Sequence, residues 1–177
     1  GRAADAEPVA RDQRGEADAL YQLGAISARL GEQLRAMQYF FQALELRHKA
    51  VQRNDSCAGD RVNVAATLNS LAELFAERGE LGIAHRYVKT AIALSRQAGN
   101  ASSEMASRHN LALLATLQGN LVEANQELTM AVTIGELIHH SGVDEVRAKL
   151  NGLHAQQPRS KPIPHVRAHR LTAPSTA

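Results

Sequence analysis

Residues 71–91 read LAELFAERGELGIAHRYVKTA, and the placing of their small residues decides the fold. Gly79 is followed by Ala84 and Ala91, at spacings of five and then seven residues. The same ladder recurs as Gly31, Ala36 and Ala43 in residues 23–43, and as Gly119, Ala124 and Ala131 in residues 111–131. Eight and seven residues before each glycine stand Leu23 and Gly24, Leu71 and Ala72, and Leu111 and Ala112. A fixed self-similarity of this kind marks a helical repeat, and repeat arrays mostly bind other macromolecules rather than perform chemistry.

Each copy predicts two antiparallel helices joined at its glycine. A left-handed residue there ends the first helix without a Cβ clash. Asn120 is a good start for the second helix, and Glu32 and Glu80 are poorer ones. Gly24, Ala72 and Ala112 on the first helices, with Ala36, Ala84 and Ala124 on the second, let two backbones approach closely. Larger residues at helical spacing flank the contact: Leu20, Leu23, Phe40 and Leu44, then Leu68, Leu71, Phe75 and Val88, then Leu111, Leu114 and Leu128.

These residues resemble the tetratricopeptide repeats, whose pattern runs from a large apolar residue through Leu-Gly or Leu-Ala to a turn glycine, then alanine, aromatic and alanine. Copy one matches at Leu20, Leu23, Gly24, Gly31, Ala36, Phe40 and Ala43, and copy two adds Phe75 at the first-helix aromatic position. The copies span residues 16–141 as pairs over 16–53, 61–98 and 101–141. Ser27 and Ala115 replace the first-helix aromatic, no copy has a tryptophan, and His48, Arg96 and Glu136 stand where a closing proline is usual. The glycines are 48 and 40 residues apart, against about 34 in the common form; this is similar to the long-period arrays of bacterial signalling and regulatory proteins and of kinesin light chains. The extra length of the first interval is assigned to a loop over residues 54–60. The resemblance implies an all-α, right-handed superhelical array of antiparallel helix pairs.

Composition agrees with that class. The 177 residues are 44% hydrophobic but only 3% aromatic, a balance that Ala and Leu on helices can pack. No apolar run is long enough to span a membrane and no secretory signal is evident, so a cytoplasmic protein is expected. The lone Cys57 has no internal disulfide partner and falls in the expected loop. The net charge of +2 hides an asymmetry, because residues 155–177 hold Arg159, Lys161, Arg167 and Arg170 without one acid, leaving −2 for the rest. Four of the five prolines are there too, and a disordered basic tail is expected. Such a tail solubilises or, as a second reading, contacts nucleic acid. Val143, Val146, Leu150 and Leu153 predict a capping helix over 142–154 that covers the end of the stack. Residues 1–15 read as the end and loop of a preceding repeat, which suggests either a longer array or stacking of the first pair on a second protomer.

Catalysis is not indicated. The sequence has no phosphate-binding glycine loop, metalloprotease motif or nucleophile elbow. Adjacent Asp144 and Glu145 point along different helix directions. His139 with His140, and His165 with His169, are weak ligand sets, and no metal or other cofactor is expected. Function is therefore sought on the first helices, which line the concave face in the family resembled. The residues expected to meet a partner are Tyr21, Gln22, Asn69, Glu73, His109 and Asn110. Asn side chains can grip a peptide backbone through both donor and acceptor, although either could instead satisfy a neighbouring repeat. The cationic carboxylate clamp of some family members has no counterpart at Tyr21, Asn69 and His109. The expectation is a protein or peptide scaffold that favours neutral or basic segments, with a sensor or oligomerisation module of a bacterial regulator as the alternative.

Overall fold

A computed structural model describes residues 6–52 and 57–156, with side chains over 13–52 and 57–155. The expected disorder of the basic tail falls outside these residues, apart from positions 155 and 156, which are helical. The described chain is all-helical: α1 Ala6–Arg29, α2 Gln33–Val51, α3 Ala58–Glu77, α4 Leu81–Gln97, α5 Ala101–Leu117, α6 Leu121–Leu137 and α7 Val143–Gln156.

Glycine ends the helices as the ladder requires. Gly31, Gly79, Gly99 and Gly119 take positive φ between 66° and 79°. At each, the glycine amide and the amide after it fold back onto carbonyls of the last turn, as in Gly79 to Ala76 and Glu80 to Phe75. His139 holds the same place after α6 with φ 51°. Helix starts vary more. Asn120 accepts the Glu123 amide at 3.2 Å, whereas Glu32 and Glu80 cap α2 and α4 without a side-chain bond.

The pairs α1/α2, α3/α4 and α5/α6 are antiparallel. Low numbers on one helix meet high numbers on the other, as when Asp18 takes Arg47 and the Gly24 backbone lies against Phe40. All six second-helix alanines of the ladder have no exposed surface, and Ala72 and Ala112 are 2% and 1% exposed. Each helix also packs on the next, with α2 on α3, α4 on α5 and α6 on α7. The main core runs through these junctions from Ala36 and Phe40 to Leu111 and Leu114.

Buried arginines fasten two places. Arg47 donates to Asp18, Thr67 and the Asn63 carbonyl at 2.7, 2.5 and 2.9 Å, and its guanidinium lies 4.7 Å over the Tyr21 ring. Arg108 joins Glu104 of its own helix to Glu127 of α6.

Three expectations need correction. Residues 6–15 are no loop but the first turns of α1, because Pro8 falls in the first turn, where its missing amide is harmless, and Ala, Arg, Gln and Glu carry the helix onward. The loop assigned to 54–60 ends at Cys57, since Asp60 in the first turn of α3 accepts the Cys57 amide at 2.9 Å and fixes the helix start. Leu23 does not flank the α1/α2 contact; it is 44% exposed on another face of α1. The capping helix forms as α7, and Val146 and Leu153 are buried against the α5/α6 core.

Candidate partner-binding face

The first helices of the pairs stand side by side and point the same way. Arg14 and Tyr21 of α1 reach Asp60 and Ser70 of α3, Asn69 of α3 reaches Ser107 of α5, and His109 of α5 reaches Lys149 of α7. Tyr21, Asn69 and His109 occupy one register position in three helices, and each bridges to the next helix in the row. Tyr21 Oη is 3.2 Å from Ser70 Oγ, Asn69 Nδ2 donates to Ser107 Oγ at 2.8 Å, and Lys149 Nζ is 2.8 Å from His109 Nε2. The alternative reading of Asn69, satisfaction of a neighbouring repeat, describes its amide nitrogen. Its Oδ1 is buried with no hydrogen-bond partner among the described residues.

The remaining candidates separate. Gln22 lies exposed on α1. Glu73 and Asn110 meet Asn69 around a cleft between α3 and α5, floored by Ala72, Ala76, Val88 and Leu114 and rimmed by Leu113 and Leu117. Leu113 and Leu117 are 55% and 60% exposed, so the cleft offers apolar surface beside three polar side chains. A second cleft, between α5 and α7, shares Leu113 and adds His109, Thr116, Lys149 and Leu153. The structure thus brings Asn69, Glu73 and Asn110 together, sets His109 in the adjoining cleft, and leaves Tyr21 and Gln22 apart.

The electrostatics of the face are uneven. Burial raises the Glu73 carboxyl above its ordinary pKa, and the neighbouring Glu77 raises it further. Burial lowers His109, and the Lys149 ammonium lowers it again. A neutral His109 accepts from Lys149, whose other partner is Glu145 at 2.9 Å. The cation that the row gains from α7 is therefore already paired, and among the described residues no cation pairs with Glu73.

Sequence reasoning missed Leu117 and Lys149. Leu117 follows Leu113 by one helical turn, which was visible. Lys149 was assigned to a cap, and nothing in its local pattern placed α7 in the row of first helices. Among the described residues no cluster of His, Cys, Asp and Glu could hold a metal ion, and no helix is long and apolar enough to cross a membrane.

No family model matches this chain, and no curated protein matches it. Its fold is similar to the crystal structure of BtubC (BKLC) from P. vanneervenii, with a TM-score of 0.69 at 16% identity over 87% of this chain. The chain spans 59% of the length of that protein.

Proposed function

We propose that the chain is a tetratricopeptide-like array, its helix pairs winding as a right-handed superhelix, that holds a peptide or protein segment against α3, α5 and α7. The observation that carries this reading is the α3/α5 cleft, where Asn110 lies at the edge, Glu73 stands over an apolar floor, and Leu113 and Leu117 leave apolar surface exposed. An extended segment supplies a backbone amide for Asn110, an apolar side chain for Leu113 and Leu117, and a basic residue for Glu73. A few such anchors dominate affinity in a groove of this kind. The protein acts in this reading as a cytoplasmic scaffold without catalysis or cofactor.

The test is capture of partners from the native cell extract by the intact chain, by Glu73→Gln/Asn110→Ala and by Leu113→Asp. Glu73 and Leu113 are exposed and Asn110 is half-buried at the cleft edge, so the variants keep the fold. Loss of the same bound protein from both variants supports the reading. Retention by both sinks it.

A further inference from the structure

The contacts along the row fix the relative heights of its helices. Asn69 of α3 meets Ser107 of α5, and Lys149 of α7 meets His109 of α5, so Glu77, Leu117 and Gln156 end their three helices along one edge. The α3/α5 cleft lies in the half of the row next to that edge, between residues 69–76 of α3 and 110–117 of α5. The edge is acidic. Glu73 and Glu77 are exposed, and among the described residues no cation pairs with either: Gln33 donates to Glu77 at 2.9 Å, and Arg78 answers Glu80 at 3.1 Å. Neither α3 nor α5 has a basic residue in its last turn, where the carbonyl end of a helix favours a cation. The chain leaves α7 at this same edge. Residues 157–177, outside the described ones, carry Arg159, Lys161, Arg167 and Arg170 and no acidic side chain. Residues 1–5 and 53–56, also outside the described ones, join the starts of α1 and α3 at the opposite edge.

We propose that the α3/α5 cleft is the docking site of this chain's own segment 157–163, which sets Arg159 and Lys161 against Glu77 and Glu73, so that an outside partner must displace it. The inference rests on the reading of the cleft as a segment-binding site and names the occupant it has when no partner is bound. The reach is sufficient. From α7 to α3 are two helix spacings of about 8–10 Å each, and five or six extended residues at about 3.3 Å each span them. Lys161 stands five residues beyond Gln156. Pro158 falls on the way, where Leu113 and Leu117 of α5 are exposed. Two exposed ion pairs are individually weak. The short link to α7 offsets this, because it holds the basic pair beside its acids at an effective concentration of about millimolar order.

Paramagnetic broadening in the full chain tests the proposal. Cys57→Ser keeps a capping residue at the start of α3, and Ser160→Cys carries a nitroxide. Residues near the end of α7 broaden by connectivity alone, so α3 decides. Amides of residues 69–77 should lose about half their intensity or more at about 10 mM salt and recover it at about 1 M, where exposed charges are screened beyond about 3 Å. Glu73→Lys/Glu77→Lys should abolish the loss, and adding Arg159→Glu/Lys161→Glu should restore it. The salt comparison changes nothing in the cleft and so still decides if the lysine variant loses helix. Unbroadened α3 amides at low salt overturn the proposal, as does broadening that neither salt nor the lysine variant removes. Broadening of α3 in an isotope-labelled chain mixed with a separate spin-labelled one would assign the contact to a second copy and overturn it too. The broadening needs no partner and capture of a partner needs no tail, so this proposal and the scaffold reading fail separately.

Discussion

Asn69 of α3 donates to Ser107 of α5 at 2.8 Å, and the serine is wholly buried. The asparagine is thus a tie between two first helices as well as a wall of the cleft. Removing it strands a buried hydroxyl, which costs about 1–2 kcal/mol. Asn69→Ala should lower the urea midpoint accordingly, and Asn110→Ala, beside the same cleft, should move it by less than about 0.5 kcal/mol. Equal losses from the two would remove the distinction drawn between them.

The Gly24 backbone leaves no room for a side chain. A Cβ there would lie 2.7 Å from both Cδ1 and Cε1 of Phe40, whose ring is 2% exposed and has little space to retreat. Gly24→Ala gains helix propensity but overpacks this contact, and the net expectation is a loss of about 1–3 kcal/mol. Ala84→Leu, at a fully buried second-helix position, should do the same. Thermal unfolding of the two variants checks this; a melting temperature at or above that of the parent chain would show that the small residues are not there for close approach.

What was legible in the sequence follows from what repeats. The ladder fixed the turns and the close-packed sides because three copies share one backbone, so chance agreement was easily excluded. Leu23 was misplaced for the same reason: it shares a register position with Leu71 and Leu111, whose burial depends on a preceding pair rather than on the residue itself. Asn69 could be read either as a tie or as a peptide contact, since the choice depends on whether Ser107 comes within reach. Residues 6–15 were obscured by Pro8 and Gly15, which signal a loop in most contexts; Pro8 is tolerated in the first turn of α1, and Gly15 lies in its interior, where a single glycine weakens a helix without ending it. The arginine ties were invisible, because Arg47 finds Asp18, Asn63 and Thr67 on two other helices.

Asp60 links the start of α3 to α1, and it should make stability depend on acid. Burial alone would raise its pKa, but the Cys57 amide at 2.9 Å and the Arg14 guanidinium at 2.9 Å outweigh burial and hold it below its ordinary value. A carboxyl depressed in the folded state stabilises above its unfolded pKa of about 3.9. That contribution disappears as pH falls through the lower, folded value. Between about pH 6 and pH 3, across that unfolded value, the parent chain should therefore lose more stability than Asp60→Asn. Parallel urea curves at the two pH values decide it. If both proteins lose the same amount, Asp60 is not the group that titrates.

Among the described turns one left-handed position lacks a glycine and can be repaired. Gly31, Gly79, Gly99 and Gly119 take the left-handed residue after their helices, but after α6 the residue is His139, with φ 51°. Its amide and that of His140 make the same backward bonds, to Glu136 and Gly135, so the turn has the geometry of the others and carries a Cβ they lack. The left-handed region costs a side-chain-bearing residue about 1–2 kcal/mol, part of which glycine returns through its freer unfolded chain. His139→Gly should stabilise the protein by about 0.5–1 kcal/mol, and Gly99→His, at the equivalent turn after α4, should destabilise it by a similar amount. Melting temperatures of the two variants should move in opposite directions. A loss of stability in His139→Gly would mean that the imidazole contributes more to the α6/α7 turn than its backbone strain costs.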